Sequence, residues 1–521
     1  MRNIEIRDLR FEIRYMKTGN RQEAAGNGQQ ATGNRQQATA GTASAFLLIL
    51  GMLAVTAGCR PPTVTFPDEP MARSAERIDY DTDGDGRADF SYLLNAAGRA
   101  DRIAYTGDGA GRPERVVNLD AIQPDLARHL VIVLDGFPLE VVREFVDAGH
   151  FRLCHPPQTV ISPYPSMTDL ALGDEFRDMP AEGYEAKYYS LARQKVVGGV
   201  EEYLAGKNEP VKRFFQWRQA TILDAVAYIK PGPLFGREVH SVKRLWDKRR
   251  TSEVICYLVT SATMGSRLGK DGQLACLRRV EQLVNQVVCE SSGVVKVTIF
   301  ADHGQTNVPC RPAELDDLLR QKGWRPVKRL ARDKDVALVE FGLVTFAAMN
   351  TRRPAALAAE LIADERIALA SCVEGDEVIV MTRGGKASIR SADGKTFQYK
   401  RTEGDPLKLG RDGEFDGRKQ FAADAASRAE YPDALYRLWR AHRTLVNNPA
   451  DVLVSLDDRY CAGRDAFSGL VDMASTHGGL NWANSATFIM SSAGAIDSPL
   501  RGEDVSPAIG RLFGRPFPLG R

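Results

Sequence analysis

The segment "GVVKVTIFADHG", at 293–304, predicts a buried strand that ends in two polar side chains, Asp302 and His303. Its apolar run is typical of strands that are covered on both faces of a sheet. Directly before it, "QLACLRRVEQLVNQVV" at 273–288 places apolar residues at helical spacing. A helix that leads into a buried strand is typical of α/β proteins.

Three more apolar runs predict strands of the same sheet. They are "HLVIVLDG" at 129–136, "SEVICYLVT" at 252–260 and "ATFIMSS" at 486–492. The first ends in Asp135 and is followed by a helical stretch. We therefore predict an α/β fold with a mostly parallel sheet sandwiched by helices. Because ligands of such sheets bind at the carboxyl ends of the strands, Asp135, Asp302 and His303 become candidate site residues.

Two loops add candidate catalytic groups. "ISPYPSMTDLAL" at 161–172 presents Ser166 and Thr168 in a proline-rich turn before a helical run, which suits a hydroxyl nucleophile at the start of a helix. "ASTHGGLN" at 474–481 places His477 in a glycine-flanked loop before the last predicted strand.

These motifs, in this order, resemble the alkaline phosphatase superfamily, and within it the type I phosphodiesterase and nucleotide pyrophosphatase branch. The resemblance covers roughly 126–514 and includes the closing "RGEDVSPAIGRLFGR". It implies a hydrolase of small phosphorylated substrates in which Thr168 attacks phosphorus and becomes a phosphothreonine. Ser166 is the alternative nucleophile.

The resemblance also implies that Asp135, Thr168, Asp302 and His303 hold one divalent cation. Mixed aspartate and histidine ligands favour zinc or manganese over magnesium or calcium. In the family, an aspartate and a histidine four residues apart hold a second metal together with the late histidine, here His477.

The second site is incomplete in this sequence. The corresponding stretch, "YLVTSATMGSRLG" at 257–269, has Ala262 and Ser266 at the two ligand positions. Alanine has no donor atom and neutral serine is a poor ligand, so only His477 remains. Three functions stay open: a one-metal hydrolase, a degenerate member that binds a phosphorylated or sulfated ligand, and an envelope scaffold.

An acidic module precedes the main domain. "DYDTDGDGRADF" at 79–90 has the aspartate spacing of a calcium loop but Tyr92 at the twelfth position, where an EF-hand has glutamate. The candidate calcium ligands are Asp81, Asp83, Asp85 and Asp89. A related copy, "DRIAYTGDGAGRPE", follows 25 residues later, so a small β-hairpin repeat is predicted, and a solvated Asp/Gly turn is the alternative to a calcium site.

The chain begins with a polar leader and an apolar run, "ASAFLLILGMLAVTAGC" at 43–59. The run resembles the signal peptide of a bacterial lipoprotein, with Cys59 as the lipidated residue; a plain anchor helix is the alternative, and Met16 is an alternative start. We expect an exported cell-envelope protein, anchored to the membrane by lipid and facing the periplasm.

The domain boundaries follow from these patterns. We predict a leader and signal at 1–58, a tether at 59–75, the hairpin repeat at 76–120 and the main domain at 121–521. An inserted β-rich cap at about 326–440 is expected from alternating segments broken by Gly/Asp turns.

Composition restricts the partners. The chain has 521 residues, 43% of them apolar, and 69 basic against 67 acidic side chains. This balance creates no field that would attract nucleic acid or an anionic membrane surface. Seven cysteines lie beyond Cys59 without CxxC spacing, so no zinc ribbon is predicted.

Overall fold

The structure is a computed structural model that describes residues 63–106, 113–199, 210–221, 223, 227–463 and 472–519. The leader, the signal-like run and Cys59 lie outside the described residues. Within those ranges, no helix is both long enough and apolar enough to cross a bilayer.

The strands of the residues described above fall into five sheets. In chain order they are β1 (Ala72–Arg73), β2 (Arg77–Tyr80), β3 (Phe90–Leu94), β4 (Ala100–Thr106), β5 (Pro113–Asn118), β6 (Arg128–Leu134), β7 (Gln158–Ile161), β8 (Lys187–Ser190), β9 (Lys195–Gly198), β10 (Trp217–Arg218), β11 (Glu253–Leu258), β12 (Val295–Ala301), β13 (Arg311–Pro312), β14 (Arg325–Pro326), β15 (Asp335–Val339), β16 (Phe346–Thr351), β17 (Ile367–Glu374), β18 (Glu377–Thr382), β19 (Gly385–Arg390), β20 (Thr396–Gly404), β21 (Gly413–Asp416), β22 (Val452–Leu456), β23 (Tyr460–Cys461), β24 (Ala486–Ser491) and β25 (Leu500–Arg501).

The helices of the described residues surround these sheets. They are α1 (Leu139–Asp147), α2 (Thr168–Glu175), α3 (Pro231–Lys248), α4 (Thr260–Glu290), α5 (Leu315–Gln321), α6 (Pro354–Leu361), α7 (Gly417–Ser427), α8 (Ala434–Arg443), α9 (Trp482–Ser485) and α10 (Val505–Phe513). The predicted helix at 273–288 is the second half of α4, and its apolar residues Leu277, Val280 and Val284 are buried in the core.

The central sheet has seven strands in the order β10-β11-β6-β12-β24-β7-β25. β10, β11, β6 and β12 are parallel neighbours, so their carboxyl ends lie at one edge. The four predicted strands all belong to this sheet, as β6, β11, β12 and β24. The prediction of a mixed α/β fold is confirmed.

The prediction of a mostly parallel arrangement holds for only part of the molecule. β24 is antiparallel to both of its neighbours, β12 and β7. The reason is local: the loop with His477 lies at the edge where the parallel strands end, and β24 begins nine residues later at the same edge. It must therefore run in the opposite direction.

A nine-stranded sheet, in the order β14-β15-β16-β22-β17-β18-β19-β20-β21, holds the predicted β-rich insertion. All of its strand pairs except β14 with β15 are antiparallel. Its strands extend from Arg325 to Leu456. The loop between β15 and β16 reaches the central sheet and supplies one wall of the cavity described below.

The N-terminal sheet, β1 to β5, is an antiparallel meander. The two related sequence copies supply β2 and β4, so that Arg77, Ile78 and Tyr80 correspond to Arg102, Ile103 and Tyr105. Ile78 and Ile103 are buried in the same hydrophobic core as α4 and the central sheet.

Candidate metal centre

Two buried aspartates meet at the carboxyl edge of the central sheet. β6 and β12 are neighbouring parallel strands, and their last residues, Leu134 and Ala301, are paired. Asp135 and Asp302 follow directly and therefore emerge side by side. Together with His303 they form a buried group whose ligand atoms all lie within 4.8 Å of one another and which could hold a metal ion. The structure thus brings together three residues that the sequence pattern assigned to one site.

His303 uses one ring nitrogen for the backbone and directs the other into this group. Its Nδ1 lies 2.8 Å from the carbonyl oxygen of Gly304, to which an Nδ1–H donates, so Nε2 keeps its electron pair. Nε2 is 3.8 Å from Asp135 Oδ1 and 3.6 Å from Asp302 Oδ2. Burial lowers the pKa of His303 to about 4, so the imidazole is neutral, which is the form that binds metals.

Asp302 has one satisfied and one unsatisfied oxygen. Oδ1 accepts the backbone N–H groups of Gly136 at 2.9 Å and His303 at 2.8 Å. Oδ2 is buried and makes no hydrogen bond. Burial raises the pKa of Asp302 to about 7, against the effect of the backbone donors. A buried carboxylate oxygen without a partner, beside a neutral imidazole, fits a cation-binding site.

Asp135 is held firmly in position. Its backbone N–H donates to Ser261 Oγ at 2.7 Å, and Tyr257 donates its hydroxyl to Asp135 Oδ2 at 2.5 Å. Burial, and then the charge of Asp302, raise the pKa of Asp135 well above its usual range. Two carboxylates at this distance repel each other when both are ionised, and a divalent cation would relieve that repulsion.

The hydroxyl of Thr168 touches the same group. Thr168 is the first residue of α2, and its Oγ1 lies 3.2 Å from His303 Nε2 and 3.5 Å from Asp135 Oδ1. The N-cap residue, Met167, supplies no side-chain cap, so the first N–H groups of α2 are left for other partners. Thr168 also lines the cavity beside the centre.

The hydroxyl of Ser166, the alternative nucleophile, is hydrogen-bonded to groups of the protein. It is fully buried, and its Oγ bonds with Ser162 Oγ at 3.0 Å and accepts from Arg437 at 3.2 Å. It also lies 3.2 Å from the carbonyl oxygen of Gly479. A hydroxyl committed to three partners is not presented to a substrate, so the geometry favours Thr168.

His477 lies next to the centre but outside the three-residue group. Its ring stacks on that of His303 with 4.0 Å between centroids. Its Nδ1 lies 2.8 Å from the carbonyl oxygen of Ser166, which accepts the Nδ1–H and leaves Nε2 as an electron-pair donor. Burial, and then His303, lower the pKa of His477 well below its usual range, so it is neutral.

A glutamine occupies the neighbourhood of the incomplete second site. Ala262 and Ser266 are one turn apart at the start of α4. Gln305 Nε2 donates to Ser266 Oγ at 2.8 Å and to the carbonyl oxygen of Ala262 at 3.3 Å. Gln273 Nε2 donates to Gln305 Oε1 at 3.1 Å. A neutral network of amides and a hydroxyl therefore bridges the two positions at which the predicted second site lacks its ligands. Sequence reasoning missed Gln305, although it stands two residues after His303.

A cavity of about 220 Å³ opens beside the centre. Besides Asp135, Thr168 and His477, its walls include side chains that no motif indicated. These are Asp169, Glu185, Lys212, Arg218, Gln219 and Tyr228. Arg218 ends the two-residue strand β10, which is too short to show a period in the sequence.

The acidic module brings only part of its predicted ligand set together. The carboxylates of Asp81, Asp83 and Asp89 lie within 4.8 Å of one another, and Asp85 is outside that group. Both oxygens of Asp81 accept backbone N–H groups of its own loop, at 2.7 and 2.8 Å. Tyr92, at the twelfth position, is buried with its hydroxyl 3.5 Å from Cys289 Sγ.

Comparison with known proteins assigns no family to the chain. A scan against protein-family models finds no matching family, and a search of curated proteins finds no match.

Proposed function

We propose that this protein is a metal-dependent hydrolase of phosphoric esters, with Thr168 as the nucleophile and Asp135, Asp302 and His303 as the core of a single cation site. The order of motifs along the chain, which resembles type I phosphodiesterases and nucleotide pyrophosphatases, supports this proposal. On the same ground we propose an alkaline-phosphatase-like arrangement around the central sheet.

One observation carries the proposal: the hydroxyl of Thr168 is at once within 3.5 Å of two metal-ligating side chains and exposed to a cavity. A structural threonine in this position would turn its hydroxyl toward the backbone of its own helix. Thr168 instead directs it toward a buried group of carboxylates and imidazole. A divalent cation bound there, zinc or manganese by its donor set, would lower the pKa of that hydroxyl.

Thr168 would form the new bond to phosphorus while the ester oxygen leaves, and water would later cleave the phosphothreonine. The N–H groups at the start of α2 point toward the same space and can donate to phosphate oxygens. His477, neutral and with Nε2 unprotonated, can accept a hydrogen bond from a water molecule beside the centre.

Two cationic side chains, Lys212 and Arg218, line the same cavity and would add positive charge to it. Arg218 is paired with Tyr257, which is paired with Val133 of β6. The Nε of Arg218 donates to the carbonyl oxygen of Gln219 at 3.1 Å and one Nη donates to Thr221 Oγ1 at 2.6 Å, so the guanidinium is held beside the end of β10, where Arg218 lines the cavity. Burial raises the pKa of Asp169 to about 6, and Lys212 and then Arg218 oppose that increase, so both act on the nucleophile turn.

A second candidate function is a ligand-binding protein without turnover. The amide network of Gln305 favours it, because this network bridges the second-site positions without any charged ligand. A missing cation removes several kcal/mol of transition-state stabilisation, and each ~1.4 kcal/mol is a factor of ten in rate. We therefore expect turnover that is several decades slower than in a two-metal enzyme.

The test uses the full-length chain in detergent. Bound zinc and manganese are counted first, and hydrolysis of p-nitrophenyl phosphate and bis-p-nitrophenyl phosphate is then measured. We expect one metal per chain and turnover that disappears in Thr168→Ala but not in Thr396→Ala, a matched change in an exposed strand residue. Persistent turnover in Thr168→Ala would exclude the nucleophile. Metal binding without any turnover would favour the second candidate.

We also propose that the protein is exported and attached to the membrane through a lipid on Cys59. The signal-like run supports this location. The test is incorporation of labelled palmitate in a bacterial host. We expect label in the parent chain and none in Cys59→Ala, whereas equal labelling of both would refute the anchor.

A further inference from the structure

The cavity beside Thr168 contains a carboxyl group that the proposed chemistry does not use. Glu185 lies just before β8 and is only 9% exposed. Its Oε1 accepts the backbone N–H of Gly342 at 3.3 Å, and its Oε2 is buried without a hydrogen-bond partner. Glu185 and Gly342 both line the cavity. An acceptor oxygen without a partner therefore lies in the wall of the cavity that Thr168 also lines.

The surroundings of Glu185 give it a fixed position. The preceding residue, Tyr184, packs against Phe346 and donates its hydroxyl to the carbonyl oxygen of Ala441 at 2.7 Å. The following segment enters β8, which pairs with β9. The side chain is thus held by rigid neighbours on both sides, as a binding residue should be.

The free-energy cost of burying the Glu185 carboxyl group with one unpartnered oxygen is an argument for a ligand. Burial raises the pKa of Glu185 to about 8 in the ligand-free chain, although Gly342 and Lys187 act in the opposite direction, and a donor group on a bound ligand would favour the ionised, accepting form. An unpartnered buried carboxyl group destabilises a fold, and an apolar side chain of the same size would avoid that cost. Such groups are retained where a ligand completes their hydrogen bonds.

We propose that Glu185 is a specificity-determining residue that accepts a hydrogen bond from the alcohol portion of the ester. The matching ligand is a phosphoric ester of a small alcohol that carries an ammonium or hydroxyl group. The proposal rests on the proposed function, in that the phosphate is placed at Thr168 and the rest of the ester extends to Glu185. Different elements hold the two ends of the ester: Thr168 belongs to α2, whereas Glu185 is bonded to Gly342 of the loop between β15 and β16.

Three probes of equal length test this assignment: 2-aminoethyl phosphate, 2-hydroxyethyl phosphate and n-propyl phosphate. Their dissociation constants are measured by calorimetry on the metal-loaded, full-length Thr168→Ala chain, where no turnover interferes. KM is measured in parallel on the parent chain. If the protein hydrolyses no ester, the binding ratios still test Glu185, so failure of the hydrolase proposal and failure of this one can be told apart.

We expect at least one of the two polar esters to bind tenfold or more tightly than n-propyl phosphate. Glu185→Leu should abolish that preference. Glu185→Gln should keep a preference for the hydroxyl ester, because the amide oxygen accepts, and lose a preference for the ammonium ester. The two variants thereby identify which donor is recognised.

The matched control is Glu182→Gln, an exposed glutamate of the same segment that lies outside the cavity and should leave all three constants unchanged. Because both Glu185 variants remove a buried acid, their melting temperatures should equal or exceed that of the parent. Equal affinity for all three esters in the parent would overturn the proposal. So would a preference that survives in Glu185→Leu.

Discussion

Replacing Asp302 by asparagine should stabilise the metal-free protein, although it removes a proposed metal ligand. In the folded chain burial raises the pKa of Asp302 from 3.8 to about 7. Each tenfold change in an acid dissociation constant corresponds to about 1.4 kcal/mol, so ionised Asp302 costs the metal-free fold up to about 4 kcal/mol. An asparagine can keep both backbone donors at Oδ1, and its amide N–H can donate toward His303 Nε2.

The sign of the pH dependence follows from the raised pKa. Below pH 4 the carboxyl group is protonated in both the folded and the unfolded states, and the penalty is absent. Between pH 4 and pH 7 the unfolded state loses its proton first, so the stability of the metal-free parent falls as pH rises. The penalty is complete above about pH 8. Asp302→Asn should therefore exceed the parent in free energy of unfolding at pH 8, and the gap should narrow toward pH 4.

The assay is urea unfolding of chelator-treated protein at several pH values. A matched control is Asp335→Asn, because Asp335 is also buried but has its pKa lowered, first by hydrogen bonds from Arg325. That variant should be less stable than the parent at pH 8. Added zinc should stabilise the parent more than Asp302→Asn. The reasoning is refuted if metal-free Asp302→Asn is less stable than the parent at pH 8, or if the gap does not change with pH.

Three more predictions concern other parts of the structure. Tyr257→Phe removes the donor to Asp135 Oδ2 and should weaken zinc binding about 10- to 100-fold by calorimetry, with an unchanged affinity as the contrary result. Ala262→Asp combined with Ser266→His should raise the metal count from one to two per chain; a count of one would show that the second site cannot be rebuilt by its two ligands. Burial lowers the pKa of His442 to about 4, so stability should be complete above pH 6.5 and fall as pH decreases toward 4. His442→Gln should flatten that part of the unfolding profile, and an identical profile would exclude His442 as its source.

The local sequence pattern was sufficient to predict the strand and the helix beside the candidate metal centre. The run at 293–304 combines an apolar strand with its terminal Asp302, and no tertiary information is needed to see that a polar pair follows a buried strand. The helical spacing before it likewise predicts the buried face of α4. These features depend on residues that are close together in the chain. The spacing of their apolar side chains indicates which face of a helix or strand is buried in the core.

The local sequence pattern could not predict the direction of β24 or the residues that form the walls of the cavity. A short, fully buried strand such as β24 has a similar pattern in either direction, so only the position of the His477 loop decides that β24 is antiparallel. Arg218 and Glu185 come from short or irregular segments with no period. Their role depends on neighbours far away along the chain.

Residue types and their order, with the family resemblance that they carry, therefore predict a metal site of two aspartates, a histidine and a threonine, and predict that positions 262 and 266 lack ligands. Tertiary structure decided that these side chains converge within hydrogen-bonding distance of Thr168. It also decided that Gln305 bridges Ala262 and Ser266 and that Glu185 lines the cavity with one oxygen that has no partner. The physical reason is that side-chain chemistry is carried by each residue, whereas convergence and burial are set by strand register and by contacts between distant segments.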